Sequence, residues 1–457
     1  MLFSSVTEAI SQWLDENVVL QQAGVVVAYS GGRDSHVLLH ALWQQRLLQS
    51  FAFELSAIHV NHGLQPEAKD WARHCAEICQ SYDIPLQVVD LQLNPPPGES
   101  VENYAREQRY LAFAKRLKPE ALLLTAHNRD DQAETFVLQL IRGAGIKGLA
   151  AIAPSKSFAK GQLARPLLSI SRAQITEYAK HFQLSWIEDK SNDLLRFRRN
   201  FLRHQVMPLL KTVNPSVDAC IARSAKHCRE TQELLDEYIQ QDFQRCLSEK
   251  SDTLDVAALK ALSGLKQQYV LRYWFECQGV PFPSSRKLQH IIHQMLTASE
   301  DATPCVEWAN IAVRRHKGQL YLQHLTHKVD LPFFKQKDKL WNLNLPLPLG
   351  EGEVWQANLV QGKGIKASKL SHNTLRIAYR QGGERCKPVG RMGSRPLKKL
   401  LQELAIPHWE RAQLPLFYHE DELVGVGDLF ICEGWQASSE EQGWVIKKSL
   451  LACLQPW

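Results

Sequence analysis

The chain predicts an α/β domain built on a doubly wound parallel sheet, followed by a helical domain and a small α+β domain. Three observations carry this. Over residues 1–210, short apolar, β-branched runs alternate with helical stretches, the pattern of parallel strands joined by crossover helices. Two of those runs, VVVAYSGGRDSHVLL (25–39) and LLLTAHNRDDQAETFVL (122–138), pass through a turn into a helix, the first turn glycine-rich and the second carboxylate-rich. From about residue 216 the pattern becomes helical, and from about 351 it mixes short strands with one clear helix.

In the first domain (1–215) the expected strands are VVVAYS, LSAIHVNH, PLQVVDL, LLLTAH and a shorter ARPLL. Ligands in such sheets sit at the carboxyl ends of strands, where both turns fall. Pro95-Pro96-Pro97-Gly98 marks an irregular loop before a helix carrying Arg106 and Arg109, and the polar segment SWIEDKSNDLLRFRRN (185–200) suits a loop over the site. The second domain (216–325) is read as mostly helical from SVDACIARSAKHCRETQELLDEYIQQDFQRCL and LKQQYVLRYWFEC, with a β-rich stretch in CVEWANIAVRRHKGQLYLQHL. Residues 326–350 read as a connector. The last domain (351–457) places strands at GEVWQANLV, TLRIAYR and DELVGVGDLFI around the helix RPLKKLLQELA. The sequence shows neither internal repeats nor low-complexity segments.

Composition narrows the class. At 457 residues two or three domains are expected, and 44% hydrophobic with 22% charged residues is that of a soluble globular protein. No apolar run is long enough to span a membrane, and the acidic N-terminal stretch is not that of a secretory signal. Ten scattered cysteines fit a reducing cytoplasm. The net charge of +6 is mild, but its distribution is uneven. Arg196, Arg198, Arg199, Arg203 and Lys211 fall in a stretch without an acid; Arg376, Arg380, Arg385, Lys387, Arg391, Arg395, Lys398 and Lys399 fall in another with only Glu384. Such runs are solvated faces or tracks for a phosphate backbone, and two on separate domains favour the second reading. Phe197, Phe201 and Trp409 lie near them, as base-stacking surfaces or as core.

The chemistry concentrates in the two turns. Ser30, Gly31 and Gly32 let backbone N–H groups approach an anion, Ser35 adds a hydroxyl, and the following helix aims its positive end at the same place. Asp34 beside phosphates is repulsive unless a cation such as Mg²⁺ bridges them. The loop is neither G-x-x-x-x-G-K-[ST] nor G-x-G-x-x-G. In the second turn His127, Asp131 and Glu134 are spaced four and three apart, which on a helix puts them on one face, with Asp130 one residue round.

SGGRDS resembles the loop of the N-type ATP pyrophosphatases, enzymes that cut ATP to AMP and pyrophosphate while adenylating a substrate. TAHNRDDQAET resembles the second signature of one branch, the tRNA(Ile)-lysidine synthases. NHGLQPEAKDWARHC (61–75), ENYAREQRY (102–110), RGAGIKGL (142–149), RPLL (165–168) and EDKSNDLLRFRRNFLRHQVMP (188–208) agree in order and spacing, and RQGGERCKPVGRMGSRPLKKLLQE (380–403) with IPHWERAQLPLFY (406–418) resembles the family's C-terminal module. IPHW departs slightly, having His where the family often has a second Pro.

The resemblance implies an adenine nucleotide α-hydrolase-like fold. It also implies a reaction: the wobble cytidine of a CAU-anticodon tRNA(Ile) is adenylated at C2 with ATP and Mg²⁺, and the ε-amine of free L-lysine displaces AMP. Adenylation turns a poor leaving oxygen into a good one. Ser30, Gly31, Gly32, Arg33 and Ser35 would hold the pyrophosphate end, and Asp34 the Mg²⁺. At pH 7 only about one lysine amine in 2,500 is neutral, an intrinsic cost of roughly 4.6 kcal/mol, so a proton acceptor is needed. Asp131 and Glu134 are candidates for the lysine ammonium groups or for the metal, and His127 for a base or a phosphate ligand. Arg106, with Arg109 beside it, would neutralise the α-phosphate or polarise the cytosine carbonyl, unless both merely pair with Glu102. Arg196, Arg198, Arg199, Arg203, Arg385, Arg391, Arg395, Lys398 and Lys399 are the expected tRNA contacts. The general base and homodimer formation stay open.

Two rival readings remain. A tRNA thiolase shares the adenylation step but generally needs a C-x-x-C pair, which is absent here. A non-catalytic RNA-binding protein would be expected to lose its carboxylates, yet Asp34, Asp131 and Glu134 are all present. Zinc is disfavoured: His59 and His62, and Cys75 and Cys79, have no second pair at zinc-finger spacing.

Overall fold

The computed structural model describes residues 5–17, 24–48, 53–63, 67–96, 101–189, 194–248, 252–299, 302–325, 339–348 and 353–450. Pro97 and Gly98, the side chain of Glu102, residues 190–193 and most of the 326–350 stretch lie outside that set. The chain forms two compact units, Met1–Glu237 and Tyr238–Trp457.

The first unit is built on a six-stranded sheet: β1 (Val25–Ala28), β2 (Leu55–Asn61), β3 (Leu86–Asp90), β4 (Leu122–Leu124), β5 (Ser155–Phe158) and β6 (Gly161–Ala164), in the order β3-β2-β1-β4-β6-β5. All pairings are parallel except the β5–β6 edge. The chain winds from β1 outward to β3, then returns across to β4, so β1 and β4 are neighbours with Val27 opposite Leu124. The order reverses between these two strands. Such a switch point leaves a crevice at the strand ends, and both chemical turns open into it.

The strands are short and apolar because both faces are covered. Val25, Val27, Leu122 and Leu124 pack with the helices Ser5–Glu16, Arg33–Leu47 and Arg172–His181, while Leu123, Ile58 and Leu163 point the other way onto Phe113 and Leu117 around the helix Val101–Arg116. This two-sided burial is the doubly wound arrangement the sequence predicts.

The last strand differs in place. ARPLL was expected to be extended, yet β6 ends at Ala164 and the chain turns at once, with Leu168 N–H donating to Arg165 O at 3.2 Å. Pro166 cannot donate to a ladder. The strand lies upstream, in GQLA, where a Cβ on Gly161 would come 2.1 Å from the Ala121 carbonyl oxygen; only glycine allows that approach. The antiparallel edge strand β5 carries no apolar run and is not legible as a strand.

In the second unit, the helices Val256–Ala261, Gly264–Cys277 and Ser285–Thr297 accompany an antiparallel sheet of β7 (Leu254–Asp255), β8 (Cys305–Trp308), β9 (Ile311–His316) and β10 (Gln319–His324), in the order β7-β10-β9-β8. A two-stranded ribbon of β16 (Arg385–Cys386) and β17 (Arg395–Pro396) and two larger sheets follow. One orders β11 (Lys339–Asn342), β15 (Thr374–Tyr379), β18 (Pro415–His419), β19 (Glu422–Val426) and β20 (Phe430–Ile431); the other is β12 (Leu347–Pro348), β13 (Glu353–Gln361), β21 (Gln442–Leu450) and β14 (Ile365–Lys366), in the order β12-β13-β21-β14. They share a core with the helix Leu397–Glu403 through Trp355, Leu375, Leu400, Phe417 and Trp444. DELVGVGDLFI, read as one strand, breaks at Gly427 (φ +50°) into β19 and β20. The described part of the 326–350 stretch carries β11 and β12, strands of these sheets.

Candidate active site

The first turn is a glycine-built cradle. Gly31 has φ +81°, and a Cβ there would meet Ile187 Cδ1 at 2.7 Å and Cys75 Sγ at 2.9 Å. Ile187 N–H donates to Gly31 O at 3.0 Å, so the start of the polar 185–200 segment lies against the turn. Gly32 is the extended N-cap residue of the helix Arg33–Leu47 and supplies no side-chain cap. The first-turn N–H groups thus have no side-chain acceptor and face outward with the helix dipole, a ready anion site. Ser30 and Ser35 fix the loop from within: their hydroxyls lie 2.9 Å apart, and Ser35 Oγ donates to Gly32 O at 2.9 Å. Arg33 Nε donates to Asp34 Oδ1 at 3.0 Å.

The second turn is shaped by a residue the sequence reading passed over. Asn128, fully buried, is the N-cap of the helix Arg129–Ile141. Its Oδ1 accepts from Asp131 N–H at 3.0 Å, its own N–H donates to Asp131 Oδ2 at 3.0 Å, and its Nδ2 donates to Asp34 Oδ2 at 2.8 Å. The two turns are therefore joined by one side chain. The cap also starts the helix after His127, which lies in the exit from β4 and not on the Asp131–Glu134 face where the spacing had placed it.

Asp131 and Glu134 are buried and gripped by three arginines. Arg203 donates Nε to Glu134 Oε1 at 2.8 Å and Nη2 to Oε2 at 2.9 Å. Arg199 reaches Glu134 Oε2 at 2.9 Å and Asp131 Oδ1 at 3.0 Å, and Arg172 reaches Asp131 Oδ1 at 3.2 Å and Glu134 Oε1 at 3.3 Å. Burial pushes the Glu134 carboxyl up, but the Arg203 hydrogen bonds and the charges of Arg172, Arg203 and Arg199 outweigh it and hold it at about 2. At Asp131 burial pushes upward and prevails, against the pull of Arg199 and Arg172. Arg199 and Arg203, expected on the tRNA track, instead complete this cluster. Arg196 and Arg198 are exposed, Arg196 over the Phe197 ring at 4.9 Å, and Phe201 is exposed beside them. A pocket of about 160 Å³ adjoins the cluster, lined by Asp130, Glu134, Arg172, Arg203, Met207, Pro208 and Lys211.

His127 stands among cations. Its Nδ1 lies 2.9 Å from Thr125 Oγ1, and burial, then the charges of Arg165, Arg106, Arg199 and Arg109, push the imidazole down to about 3. Arg165 is buried, donates Nη1 to Ala153 O at 2.5 Å, and leaves Nε without a partner. Arg106 lies over the Tyr110 ring at 5.1 Å, and burial together with Arg106 pushes Arg109 below the usual guanidinium range. Arg165 is buried, Arg109 half-buried and Arg106 exposed, and this grouping of cations around His127 suits an anion.

Arg165 and Arg172 join Asn128 among the residues that sequence reasoning missed. Arg172 carried a signal: a cation in a helix's first turn opposes the dipole unless something nearby is acidic, and here Asp130 Oδ2 accepts from Arg172 N–H at 2.7 Å.

In the C-terminal basic run Arg385, Arg391, Arg395, Lys398 and Lys399 are exposed, while Arg376, Arg380 and Lys387 are half-buried. Arg385 donates to Ser394 O at 3.0 Å, Glu403 pairs with Arg391 and, at 2.9 Å, with Arg395, and Lys398 and Lys399 point to solvent from the helix Leu397–Glu403. Trp409 is a packing residue: its ring lies 5.9 Å from His316, 5.7 Å from Tyr321 and 5.2 Å from the Arg314 guanidinium, on β9 and β10.

Three segments of the chain match known domain families. Residues 3–210 match the PP-loop domain, 254–321 the TilS substrate binding domain and 375–448 the TilS substrate C-terminal domain. A tRNA(Ile)-lysidine synthase of Coxiella burnetii is 43% identical over 423 residues, covering 92% of each chain. Those of Serratia proteamaculans and Vibrio cholerae are 40% and 38% identical, each covering 92% of this chain and 94% of its own. With three matched domains in order and relatives of this identity along nearly its whole length, the chain belongs to the tRNA(Ile)-lysidine synthase family.

Proposed function

We propose that this protein ligates free L-lysine to C2 of the wobble cytidine of CAU-anticodon tRNA(Ile), using ATP and passing through an adenylated cytidine, with AMP and diphosphate released. The codon read changes from AUG to AUA, and the tRNA's amino-acid identity from Met to Ile. The observation that carries this reading is the link from Asp34 through Asn128 to the Asp131–Glu134 cluster. It supports reading the two turns, at the ends of adjacent strands, as a phosphate cradle and an amine-selective acid pair.

The cradle of Ser30, Gly31, Gly32, Arg33 and Ser35 takes the diphosphate end of ATP. The cations around His127, namely Arg106, Arg109 and Arg165, take the α-phosphate, where charge develops as the bond to diphosphate breaks. The residues fit Mg²⁺: Asp34 offers a partly exposed carboxylate beside the cradle, and Mg²⁺ commonly takes one or two carboxylates with phosphate oxygens and waters. When bound, Mg²⁺ neutralises phosphate charge during that cleavage. Asp131 and Glu134, the adjoining acid pair, are assigned to the lysine ammonium groups.

Those acids are already matched by guanidinium groups, so a lysine ammonium enters by exchange. Arg199, 36% exposed against 23% for Arg172 and Arg203, is the guanidinium that leaves most readily, with phosphate oxygens as its new partners. His127, neutral in the free protein, becomes a better base once the phosphates offset the cations around it. Arg196, Arg198, Arg385, Arg391, Arg395, Lys398 and Lys399 contact the tRNA backbone, and the reaction is cytoplasmic.

The test is diphosphate release from ATP with CAU-anticodon tRNA(Ile), in the presence and absence of the tRNA. Release that depends on this tRNA supports the reading. No release under any condition returns the chain to the non-catalytic RNA-binding alternative.

A further inference from the structure

We propose that Asn128 is a positioning residue for the ATP-cleaving step, holding the Asp34 carboxylate in the orientation that Mg²⁺-bound phosphates require. The proposal rests on the reading above and deepens it.

The geometry is over-determined. A cap must present an acceptor to the N–H of the third helical residue, and Asn128 Oδ1 does so for Asp131 at 3.0 Å. Rotating the amide by half a turn would set an NH₂ against that N–H and an oxygen against the Asp34 carboxylate. Both contacts would be repulsive, so the cap itself aims Nδ2 at Asp34, where it donates at 2.8 Å. The backbone N–H of Asn128 is taken by Asp131 Oδ2 at 3.0 Å, which closes the capping box and removes the remaining freedom.

Other capping residues cannot serve both ends. Ser and Thr are too short to accept from the helix and reach across to Asp34, and Asp would turn a second carboxylate toward it. Asparagine alone among good caps has a terminal acceptor and a terminal donor on one planar fork. Asp34 Oδ2 is thereby pinned by Asn128 and Oδ1 by Arg33, and each oxygen keeps a lone pair for a further partner.

Three variants separate positioning from folding. Asn128→Asp and Asn128→Ser keep a cap, whereas Asn128→Ala removes it. Calorimetric binding of an α,β-methylene ATP analogue is measured with and without Mg²⁺, beside diphosphate release with tRNA and thermal unfolding. Loss of a hydrogen bond to a charged group corresponds to roughly ten- to a hundredfold. Asn128→Ser is expected to weaken analogue binding about tenfold in Mg²⁺, with little change in its absence, and to keep a wild-type Tm. Asn128→Asp should do so more severely and move the acid limb of the pH–rate profile upward, because two facing carboxylates resist ionising together. Asn128→Ala should add a fall in Tm. Equal loss of binding with and without Mg²⁺, or wild-type Mg²⁺ dependence in Asn128→Asp, overturns the proposal. If the wild-type protein itself neither binds the analogue nor releases diphosphate, the functional reading fails instead.

Discussion

Arg203 holds Glu134 in a two-point fork, Nε to Oε1 at 2.8 Å and Nη2 to Oε2 at 2.9 Å, with the carboxylate almost wholly out of solvent. A basic residue of a run expected to face RNA thus anchors an acid expected to face lysine. Removing one partner of such a buried pair strands the other's charge and costs about 3–5 kcal/mol. Glu134→Gln and Arg203→Met should each destabilise the protein by that order in urea unfolding. The double variant should lose less than the sum, with a coupling of roughly 1–3 kcal/mol; strict additivity would mean the fork contributes nothing.

The depressed imidazole of His127 makes a pH signature. Its pKa in the folded state, about 3, lies below the unfolded value near 6.5, so the unfolded chain binds the proton first. Its contribution to stability is intact above about pH 6.5 and falls by about 1.4 kcal/mol per pH unit as the pH drops toward 3. His127→Gln should flatten the loss between pH 6.5 and 5 by about that slope. Glu134 acts lower, its contribution present above about 4.5 and lost as pH falls toward 2. Parallel stability curves for the wild type and His127→Gln would show that neither burial nor the cations depress the ring.

Gly31→Ala tests the cradle. The residue sits at φ +81° with Ile187 and Cys75 already within contact distance of any Cβ. The substitution strains the turn and moves the N–H groups proposed to bind the phosphates. KM for ATP should rise about tenfold or more while tRNA affinity stays unchanged. An unaltered KM would remove the turn from nucleotide binding.

Much of this arrangement was legible from the chain. β1 and β4 stood out because strands buried on both faces are continuous apolar runs, and the Gly31 turn because larger residues resist its conformation. What the sequence hid was pairing. Arg199 and Arg203 look like neighbours of Arg196 and Arg198 in a basic run, and only the fold turns the first two inward onto acids some 65–69 residues away. Asn128 reads as an ordinary cap, since the second hydrogen bond it makes spans 94 positions. His127 reads as in register with Asp131 until the cap is seen to start the helix beyond it. β5 escaped because an edge strand needs no apolar alternation.

The exposed C-terminal face gives a salt-dependent expectation. Replacing Lys398 and Lys399 with Glu should weaken tRNA binding and reduce the slope of log affinity against log salt by about 2, since each phosphate contact contributes about 0.9. Asp34→Ala should leave that binding nearly intact while abolishing diphosphate release. Unchanged binding in the lysine double variant would take the C-terminal module out of tRNA recognition.

The most direct test of the whole account is incorporation of labelled L-lysine into CAU-anticodon tRNA(Ile) with ATP, followed by nucleoside analysis of the wobble position. The account requires label at C2 of that cytidine, with one AMP released per lysine joined and none incorporated by Asp34→Ala. Diphosphate release without lysine in the nucleoside would contradict it and assign the adenylated base to another nucleophile.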